Sequence, residues 1–334
     1  MDYNKGFSAR YYGTYVDPAT WRDTERFEII SGSVNRTATD LLATASFENH
    51  NYPKNTERII RLHLEMVQNE ETERVPLFTG IACSPSDSVN GTIIGNKVDC
   101  YSILKYAEDV MLERGWYAPV EVPATELVRQ LFENIPAPLI LGENAPSLSE
   151  AIIAEDGETK LSMAGKILDA VNWRLKVKGD GVIYVLPKSD DPVAVIDPVS
   201  YDIIQPEIEI SRDWYNCPNV FRAVSGTLTA TARDDSPNSY LSTVNRGREI
   251  WKEETDCTLS ANESVADYAL RRLKEEQQIN LTAKYDRRFV PDLYPTDVIT
   301  LNYPSIGLTG NYRIDAQTIE MTHGAKTREE VISL

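Results

Sequence analysis

The chain has 334 residues, of which 42% are hydrophobic and 25% charged, a composition that excludes a disordered or collagen-like protein. This length exceeds that of one compact core and predicts two to four domains. The formal net charge is −17, which disfavours a tight nucleic-acid binder because such proteins cluster Lys and Arg. The chain starts without a signal-peptide pattern and has no apolar run of about 18 residues, so we expect neither secretion by a signal peptide nor a membrane span.

Residues 24–100 have the pattern of antiparallel strands. Apolar and polar residues alternate most regularly in 60–67, a period typical of a strand with one buried face. His63 and Glu65 are expected on its polar face. The polar stretch 69–73 is expected to be a solvated hairpin tip before the next strand. We predict an antiparallel barrel or sandwich over 24–100.

Helical patterns follow this first segment. Asp99 precedes a stretch with apolar residues at helical spacing, at positions 103, 104, 107, 110 and 111, which predicts a helix beginning near 101. From about 112 to 200 helices and strands alternate. One helix is expected after Pro123, which suits a first helical position, and another from about 162 to 171.

The clearest hairpin lies in this middle segment. Residues 173–178 and 182–186 are strand-like, and Gly179-Asp-Gly181 between them supplies the flexible turn that a hairpin requires. The preceding stretch 143–158 contains five carboxylates and no Lys or Arg. It is expected to be an exposed loop that is acidic because it is solvated.

Strand patterns return after Pro206, at 207–211 and 220–225, and again from 281 to the end. A polar loop, 234–239, and a helix separate these two groups of strands. The pattern predicts a second barrel that is discontinuous in sequence, with a helical excursion inserted into it.

The helix of this excursion begins after Ser264. Asp267 lies three residues on, at the spacing of a capping box. The predicted buried stripe consists of Ala266, Ala269, Leu270 and Leu273.

A faint internal repeat supports duplication. Ile60-x-Leu62-x-Leu64 followed by Phe78-Thr-Gly80 is echoed by Ile299-x-Leu301-x-Tyr303 followed by Leu308-Thr-Gly310. Alternating strands are common enough for chance to produce the same pattern. If the two barrels are homologous, Thr79-Gly80 and Thr309-Gly310 should occupy equivalent strand positions.

Side chains with catalytic or metal-binding chemistry form no recognised motif. The sequence has no P-loop, Gly-x-Gly-x-x-Gly, Gly-x-Ser-x-Gly or zinc-ligand spacing around its three histidines, His50, His63 and His323. Its cysteines are widely spaced and are expected to be reduced thiols, although spacing alone leaves a disulfide open: Cys83, Cys100, Cys217 and Cys257.

Two carboxylate pairs need a separate interpretation. Asp190/Asp191 and Asp234/Asp235 are sequence neighbours in turn-like stretches, whereas glycoside hydrolysis needs two carboxylates facing each other across a cleft. The stretch from Asp234 to Asn238 also lacks the glycine and terminal glutamate of an EF-hand loop. We assign no catalytic, cofactor-binding or metal-binding residue, and we expect a protein that is not an enzyme and has no cofactor.

Four motifs resemble those of a known family. They are Val75-Pro-Leu-Phe-Thr-Gly-Ile81, Asn216-Cys-Pro-Asn-Val-Phe221, Pro291-Asp-Leu-Tyr-Pro-Thr-Asp-Val298 and Leu308-Thr-Gly-Asn-Tyr-Arg-Ile314. In this order and spacing the chain resembles the hub proteins of phage tails, found in the baseplates or tail tips of tailed phages, prophages and phage-tail-like particles such as contractile injection systems.

The resemblance implies an α+β, β-rich fold with two similar antiparallel β-barrels. Its expected domains are a first barrel over 1–106, an α/β connecting domain over 107–204, a second barrel from 205–230 and 280–334, and a helical insertion over 231–279.

The resemblance also implies a structural virion role. Expected partners are two further copies in a homotrimer, the tail tube protein, a spike or tail-tip protein, the tape-measure protein and other baseplate proteins. DNA would pass through without being bound, and no membrane anchor is expected. The location would be the virion tail, after synthesis and assembly in the bacterial host cytoplasm. The negative charge fits either an acidic channel wall or solubility alone.

A rival interpretation is a carbohydrate- or receptor-binding β protein of the tail tip. The 17 tyrosines and 5 tryptophans could provide stacking surfaces for sugars. Against this, Trp173, Tyr184 and Phe221 fall in strand patterns, where burial in the core is the usual outcome.

Overall fold

The structure is a computed structural model. It describes residues 1–3, 5–39, 41–50, 52–53, 56–90, 93–199, 208–212, 214–215, 217–255, 257, 264–277, 281–322 and 324–334. These form two compact units. The larger unit comprises Met1–Ile208, Lys284–Ile332 and Leu334, and the smaller comprises Glu209–Ala283 and Ser333.

The chain is β-rich, as predicted, with 48% strand and 14% helix. Its elements, in chain order, are β1 (Ser8–Asp17), β2 (Arg22–Glu28), β3 (Ser31–Thr37), β4 (Ala43–Asn49), β5 (Arg58–Gln68), β6 (Glu71–Asn90), β7 (Ile93–Ser102), α1 (Lys105–Glu108), β8 (Tyr117–Ala118), α2 (Ala124–Leu131), β9 (Leu139–Leu141), β10 (Ile152–Ile153), α3 (Lys160–Ala170), β11 (Trp173–Val177), β12 (Ile183–Pro187), β13 (Pro192–Ile196), β14 (Glu209–Arg212), β15 (Val220–Ser225), β16 (Leu228–Arg233), α4 (Thr243–Arg246), β17 (Trp251–Glu254), α5 (Val265–Glu276), β18 (Leu281–Arg287), β19 (Val298–Tyr303), a 3₁₀ helix (Pro304–Ile306), β20 (Leu308–Glu320) and β21 (Thr327–Ser333).

Most strands of the larger unit form one sheet, in the order β18-β21-β20-β3-β4-β7-β6-β5-β1-β2, with β19 also beside β20 and β13 beside β19. Two small sheets are separate from it: β8 pairs with β10, and β12 lies between β11 and β9. The N-terminal and C-terminal strands meet where β20 pairs with β3, from Ala316 opposite Thr37 to Glu320 opposite Ser33. No closed barrel is found among the described strands, so the predicted pair of barrels is not confirmed.

The repeated Thr-Gly motifs lie on comparable strands. Gly80 of β6 pairs with Ile60 of β5, and Gly310 of β20 pairs with Leu301 of β19. In the repeat Ile60 corresponds to Ile299, so the second motif is shifted by two residues along its partner strand. Because side chains alternate between the two faces of a strand, a shift by two residues leaves each residue of the motif on the same face of the sheet.

Strand β5 is buried on both faces, which differs from the expected half-buried strand. It lies between β1 and β6 in the interior of the sheet. Leu62 and Leu64 belong to a hydrophobic core, while His63 and Glu65, expected on an exposed polar face, are only 8% exposed. The predicted alternation of apolar and polar side chains along β5 was correct, but the face that carries His63 and Glu65 is also buried.

The hairpin tip between β5 and β6 is shorter than predicted. Only Asn69 and Glu70 form the turn, with φ of 49° and 71°. Positive φ at both central residues is the geometry of a type I′ turn, which matches the twist of its flanking strands. The rest of the predicted tip belongs to β6.

The helix predicted from residue 101 is reduced to a single turn. Strand β7 continues to Ser102, which pairs with Gly80, and α1 covers only Lys105–Glu108. Pairing with β6 therefore overrides the helical pattern at the start of this stretch. Val110 and Met111, expected to face a core, are exposed.

The remaining middle segment follows the prediction closely. Helices α2 and α3 lie near their predicted positions, with Pro123 as the N-cap of α2. Strands β11 and β12 form the predicted hairpin, from Trp173 opposite Pro187 to Val177 opposite Ile183. Its core contains residues of both helices and the hairpin: Leu127, Leu131, Met163, Ile167, Trp173 and Ile183.

The acidic segment 143–158 is mostly exposed, as predicted. It contains the short strand β10, in which Ile153 pairs with Tyr117 of β8. Leu148 and Glu158 are buried; the Glu158 carboxylate lies 2.9 Å from Lys166 and accepts a hydrogen bond from Ser162.

In the smaller unit the strand after Pro218 pairs with strands of the predicted insertion, whereas the prediction placed it in a barrel with the C-terminal strands. Strand β15 pairs with β16 on one side and with β17 on the other, and α5 packs on β15 and β16. Residues 220–230 therefore share a sheet with part of the predicted insertion 231–279. The proposed boundaries at 204/205 and 279/280, together with Glu207, Asn216 and His323, lie outside the described residues.

Helix α5 is capped as predicted but faces its core differently. The Ser264 hydroxyl oxygen accepts a hydrogen bond from the backbone N–H of Asp267 at 3.1 Å. Ala266 and Leu270 of the predicted stripe are exposed. The buried residues of the helix are instead Val265, Tyr268, Ala269 and Leu273.

No described helix combines the length and apolar character that crossing a membrane would require.

Candidate functional site

The carboxylate pairs considered for catalysis act as turn residues. Asp190 forms an exposed ion pair with Arg313 at 2.7 Å. Asp234 accepts hydrogen bonds from Ser239 and Gln277. Within the described part of the chain no group of three His, Cys, Asp or Glu side chains is placed to hold a metal ion.

The four cysteines form no disulfide with one another. All four lie within the described residues and are reduced, with Cys100 and Cys257 buried and Cys83 and Cys217 partly buried. Burial raises the pKa of the Cys100 thiol, so it is protonated and unreactive at neutral pH.

His63 lies in a cluster of side chains that packs strands together. Its ring stacks on Tyr12 with centroids 4.8 Å apart, and its Nε2 lies 3.2 Å from an Asp23 carboxylate oxygen. Asp23 also pairs with Arg61 at 2.5 Å. Burial lowers the pKa of His63 despite the opposing effect of Asp23. This cluster attaches the otherwise exposed strand β2 to β1 and β5.

A network of hydrogen bonds surrounds the turn of the β11–β12 hairpin and joins it to neighbouring segments of the larger unit. The hydroxyl of Thr79 donates to the carbonyl of Gly179 at 2.7 Å, and the N–H of Gly179 donates to the hydroxyl of Tyr294 at 3.1 Å. Trp21 and Arg61 both donate to the carbonyl of Asp180, each at 3.0 Å. We call this set of contacts the hairpin joint.

Two glycines are required by this close approach. A Cβ atom on Gly179 would lie 1.9 Å from the carbonyl oxygen of Pro76. Gly181 has φ of +78°, and a Cβ there would lie 2.8 Å from Thr79. A side chain at either position would separate the hairpin from the sheet.

Asp297 anchors the same hairpin from the C-terminal strands. Its carboxylate oxygens lie 2.8 and 2.7 Å from Nζ of Lys176, and Arg174 is 3.3 Å away. The backbone N–H of Tyr294 donates to the same carboxylate at 3.0 Å. Burial lowers the pKa of Lys176, against the effect of Asp297.

Arg36 completes the joint from β3. It is buried, donates to the carbonyl of Leu77 at 2.7 Å, and lies over the ring of Tyr294 at 4.4 Å. Three of the motifs that carry the family resemblance thus meet at this joint. Thr79 and Tyr294 belong to two of them. Ile314 belongs to the third and is joined to Thr296 and Asp297 by backbone hydrogen bonds. These motifs hold strands and a hairpin together.

A second buried network was missed by sequence reasoning. Arg287 contacts the Glu329 carboxylate at 2.6 and 2.9 Å, and both side chains are at most 1% exposed. Tyr285 and Gln317 each donate to Glu329 at 2.7 Å. Burial opposes ionisation of Glu329, but Arg287 and these donors hold its pKa below the usual value. The Glu329 carboxylate on β21 thus has a hydrogen-bond donor from β18 and from β20, and the network links these three strands.

The smaller unit exposes an unexpected group of aromatic residues and arginines. Trp214 is 47% and Tyr215 67% exposed. Arg246 lies 5.3 Å from the ring centroid of Trp214, and Arg248 lies 5.0 Å from that of Tyr215. The spacing of these residues along the sequence has no periodicity that would have predicted the contact.

No family model matches the sequence, and no curated protein matches it in sequence. The fold has clear counterparts among solved structures. The 43 kDa tail protein of prophage MuSo2 from Shewanella oneidensis has a TM-score of 0.65 and 11% identity, covering 98% of this chain and 97% of that chain.

Two further structures agree. The tail protein from Neisseria meningitidis MC58 has a TM-score of 0.62 and 14% identity, covering 98% and 96% of the two chains. Prophage tail protein gp18 from Listeria monocytogenes EGD-e has a TM-score of 0.54 and 12% identity, covering 97% and 94%. The chain has the fold of these prophage tail proteins, so the resemblance predicted from its motifs is confirmed for the fold.

Proposed function

Because the tail-protein fold extends along almost the whole chain, we propose that this protein is a structural component of a phage or phage-like tail, at its baseplate or tip. The supporting observation is that 98% of this chain aligns with 97% of the Shewanella prophage protein. A fold by itself hosts different functions. Here the match includes the hairpin-bearing middle segment as well as the sheet, which supports a shared architectural role.

Within the tail we assign the chain the role of hub. Three copies would form a ring that joins a sixfold tail tube to a threefold spike or tip. Each copy would supply two tube-like modules, one from residues 1–106 and one built mainly from the C-terminal strands. Head-to-tail contacts close into such a ring, whereas a twofold interface pairs two copies and stops. The hairpin joint supports this role, because it fixes the geometry of the strands that would form both modules.

The ring would also form part of the DNA channel. With a net charge of −17, an inner surface rich in carboxylates would let DNA pass without being held. A stripe of Lys and Arg would instead bind phosphates through counterion release. The tape-measure protein and other baseplate proteins are further proposed partners, in a virion tail assembled in the host cytoplasm. No enzymatic activity is part of this proposal.

A carbohydrate- or receptor-binding role is the second candidate, favoured by the exposed rings of Trp214, Tyr215 and Trp251. Each of these rings has an arginine over one face, from Arg246, Arg248 and Arg222 respectively. Sugar stacking needs an open ring face, so an arginine over one face leaves only the other face of each ring for a sugar.

Co-assembly tests the hub assignment. Mass photometry should find three chains per particle, either for the protein alone or after addition of the tube and spike proteins of the same particle. Negative-stain images down the axis should then show six modules around a channel. A stable twofold dimer under both conditions, or the absence of any complex with tube and spike proteins, would contradict the assignment. An electrostatic map with a net-positive lumen would contradict the channel proposal alone.

A further inference from the structure

Trp214, Tyr215, Arg246 and Arg248 form one continuous surface, which we call the arginine–aromatic patch. Arg246 connects its parts, because its guanidinium lies over the ring of Trp214 and donates to the carbonyls of Tyr215 and Cys217, each at 2.8 Å. Arg248 extends the patch by lying over the ring of Tyr215. These contacts place one arginine on each of the two exposed rings of the smaller unit.

Neither arginine of this patch meets a carboxylate among the described residues. The nearby Arg222 provides the contrast. It lies over the exposed ring of Trp251 in the same way, at 4.8 Å, but is also paired with Glu253 at 3.1 Å. In a chain of net charge −17, the patch therefore carries positive charge that the described part of the chain leaves uncompensated.

The composition of the patch is that of a protein interface. Trp, Tyr and Arg are the residues most enriched among those that dominate binding energies. Rings held by arginines are also partly ordered before binding, which reduces the entropy lost when a partner covers them. The partner that fits is a protein surface that is acidic and has exposed apolar side chains.

The acidic segment 143–158 of this chain has these two properties. Glu143 and Glu150 are exposed, and neither meets a cation among the described residues. Within the segment Ile153 is 68% exposed and pairs directly with Tyr117, which is 58% exposed. Paired residues of an antiparallel ladder project from the same face, so Ile153 on β10, which follows these two carboxylates, and Tyr117 on β8 form one exposed apolar pair.

We propose that the arginine–aromatic patch of one copy docks on the acidic segment of a second copy. A contact between two different surfaces can repeat head-to-tail from copy to copy, and it closes into a ring when the rotation between copies closes, which is the arrangement that the hub function requires. This inference rests on the proposed hub function and names the residues of its subunit contact. The charges of Arg248 with Glu143 and Glu150 set the pairing, while Trp214 and Tyr215 cover the apolar pair.

Charge reversal on each surface tests the proposal. Arg248→Glu changes the patch at an exposed residue for which no folded-state hydrogen bond of the side chain is seen in the described part of the chain. The double variant Glu143→Lys/Glu150→Lys changes the acidic segment. Each is expected to weaken self-association at least about tenfold in sedimentation velocity, because like charges then face each other. Combining all three substitutions in one chain should restore the wild-type assembly.

Mixing the two single-surface variants provides a sharper test. A patch with the Arg248→Glu substitution fits only the reversed segment of the other variant, and the native patch fits only the native segment. The mixture must therefore alternate its two chains, and it should form complexes with even numbers of chains rather than trimers. Arg222→Gln is the matched control, since that arginine also lies over an exposed tryptophan but is already paired with Glu253.

The outcomes separate this inference from the hub function. Trimers that persist in both reversal variants, with unchanged affinity, overturn the docking proposal and leave the hub assignment intact. A wild-type chain that stays monomeric at its highest soluble concentration also overturns the docking proposal, and the hub function is then decided by co-assembly with tube and spike proteins. Circular dichroism of each variant must match the wild type; if Arg248→Glu misfolds, Tyr215→Ser tests the same surface without reversing a charge.

Discussion

Lys176 and Asp297 are 121 residues apart in sequence, and the Lys176 ammonium lies 2.8 and 2.7 Å from the two carboxylate oxygens of Asp297. The pair links the middle hairpin to the loop before β19. Both side chains are largely buried, at 13% and 3% exposure. Together with the backbone contacts of Gly179, this pair makes the hairpin a fixed part of the larger unit.

Removing the charge of Asp297 should be strongly destabilising. Asp297→Asn leaves Lys176 and Arg174 buried without a counter-charge, and we expect the free energy of unfolding to fall by about 3–5 kcal/mol in urea denaturation. Asp190→Asn is the control, because its pair with Arg313 is exposed and should be worth less than about 1 kcal/mol. Equal losses in the two variants would contradict a buried anchoring role.

A methyl group at Gly179 should disrupt the hairpin joint. Its Cβ would overlap the backbone of Pro76, and we expect Gly179→Ala to lower the free energy of unfolding by at least about 2 kcal/mol. Gly165→Ala is the control, since α3 has open space there and alanine favours a helix by about 1 kcal/mol. Thermal unfolding followed by circular dichroism distinguishes the two. A stability of Gly179→Ala within error of wild type would contradict the close approach.

His63 should make stability depend on pH in the mildly acidic range. Burial lowers the pKa of His63 in the folded state, so the unfolded chain binds a proton first as the pH falls through the ordinary histidine value. Stability is therefore expected to decrease from about pH 7.5 to about pH 5.5. This decrease should be smaller in His63→Gln, measured by urea midpoints at both pH values. The exposed His50, replaced by Gln, is the control, and a pH dependence unchanged in His63→Gln would exclude this source.

Glu329 should contribute to stability above its usual titration range. Arg287 and its hydrogen-bond donors lower its pKa in the folded state despite burial, so the contribution is present above the ordinary glutamate value and is lost as the pH falls through the lowered one. Glu329→Gln leaves Arg287 buried and should cost about 3–5 kcal/mol at neutral pH. The variant should also lose part of its acid sensitivity in urea titrations. Glu330→Gln, next to it on β21 and paired with the partly exposed Lys284, should change little.

Removing both charges of this buried pair tests whether an unpaired buried charge causes the loss of stability in Glu329→Gln. Arg287→Met combined with Glu329→Leu should recover much of the stability that Glu329→Gln loses, because no unpaired charge then remains buried. If the double variant is no more stable than Glu329→Gln, the hydrogen bonds of Tyr285 and Gln317 carry the effect instead.

The sequence by itself determined the local elements wherever pattern and turn chemistry agree. The 173–186 hairpin, the two helices after Pro123 and the Ser264 cap depend on neighbours along the chain, so they were predicted closely. Where a local pattern competes with a distant partner, the tertiary structure decided. Strand β7 pairs with β6 and suppresses the helix predicted from residue 101, and the sheet covers the polar face of β5.

The tertiary structure alone also decided which motifs meet. Sequence motifs marked Thr79, Gly179 and Tyr294 as strand or turn residues, but only the folded chain brings them into the hairpin joint. The arginine–aromatic patch likewise depends on Trp214 and Arg248, which lie on segments separated by β15, β16 and α4. Contacts over such distances carry no sequence period, because they arise from packing between elements rather than from the repeat of any single element.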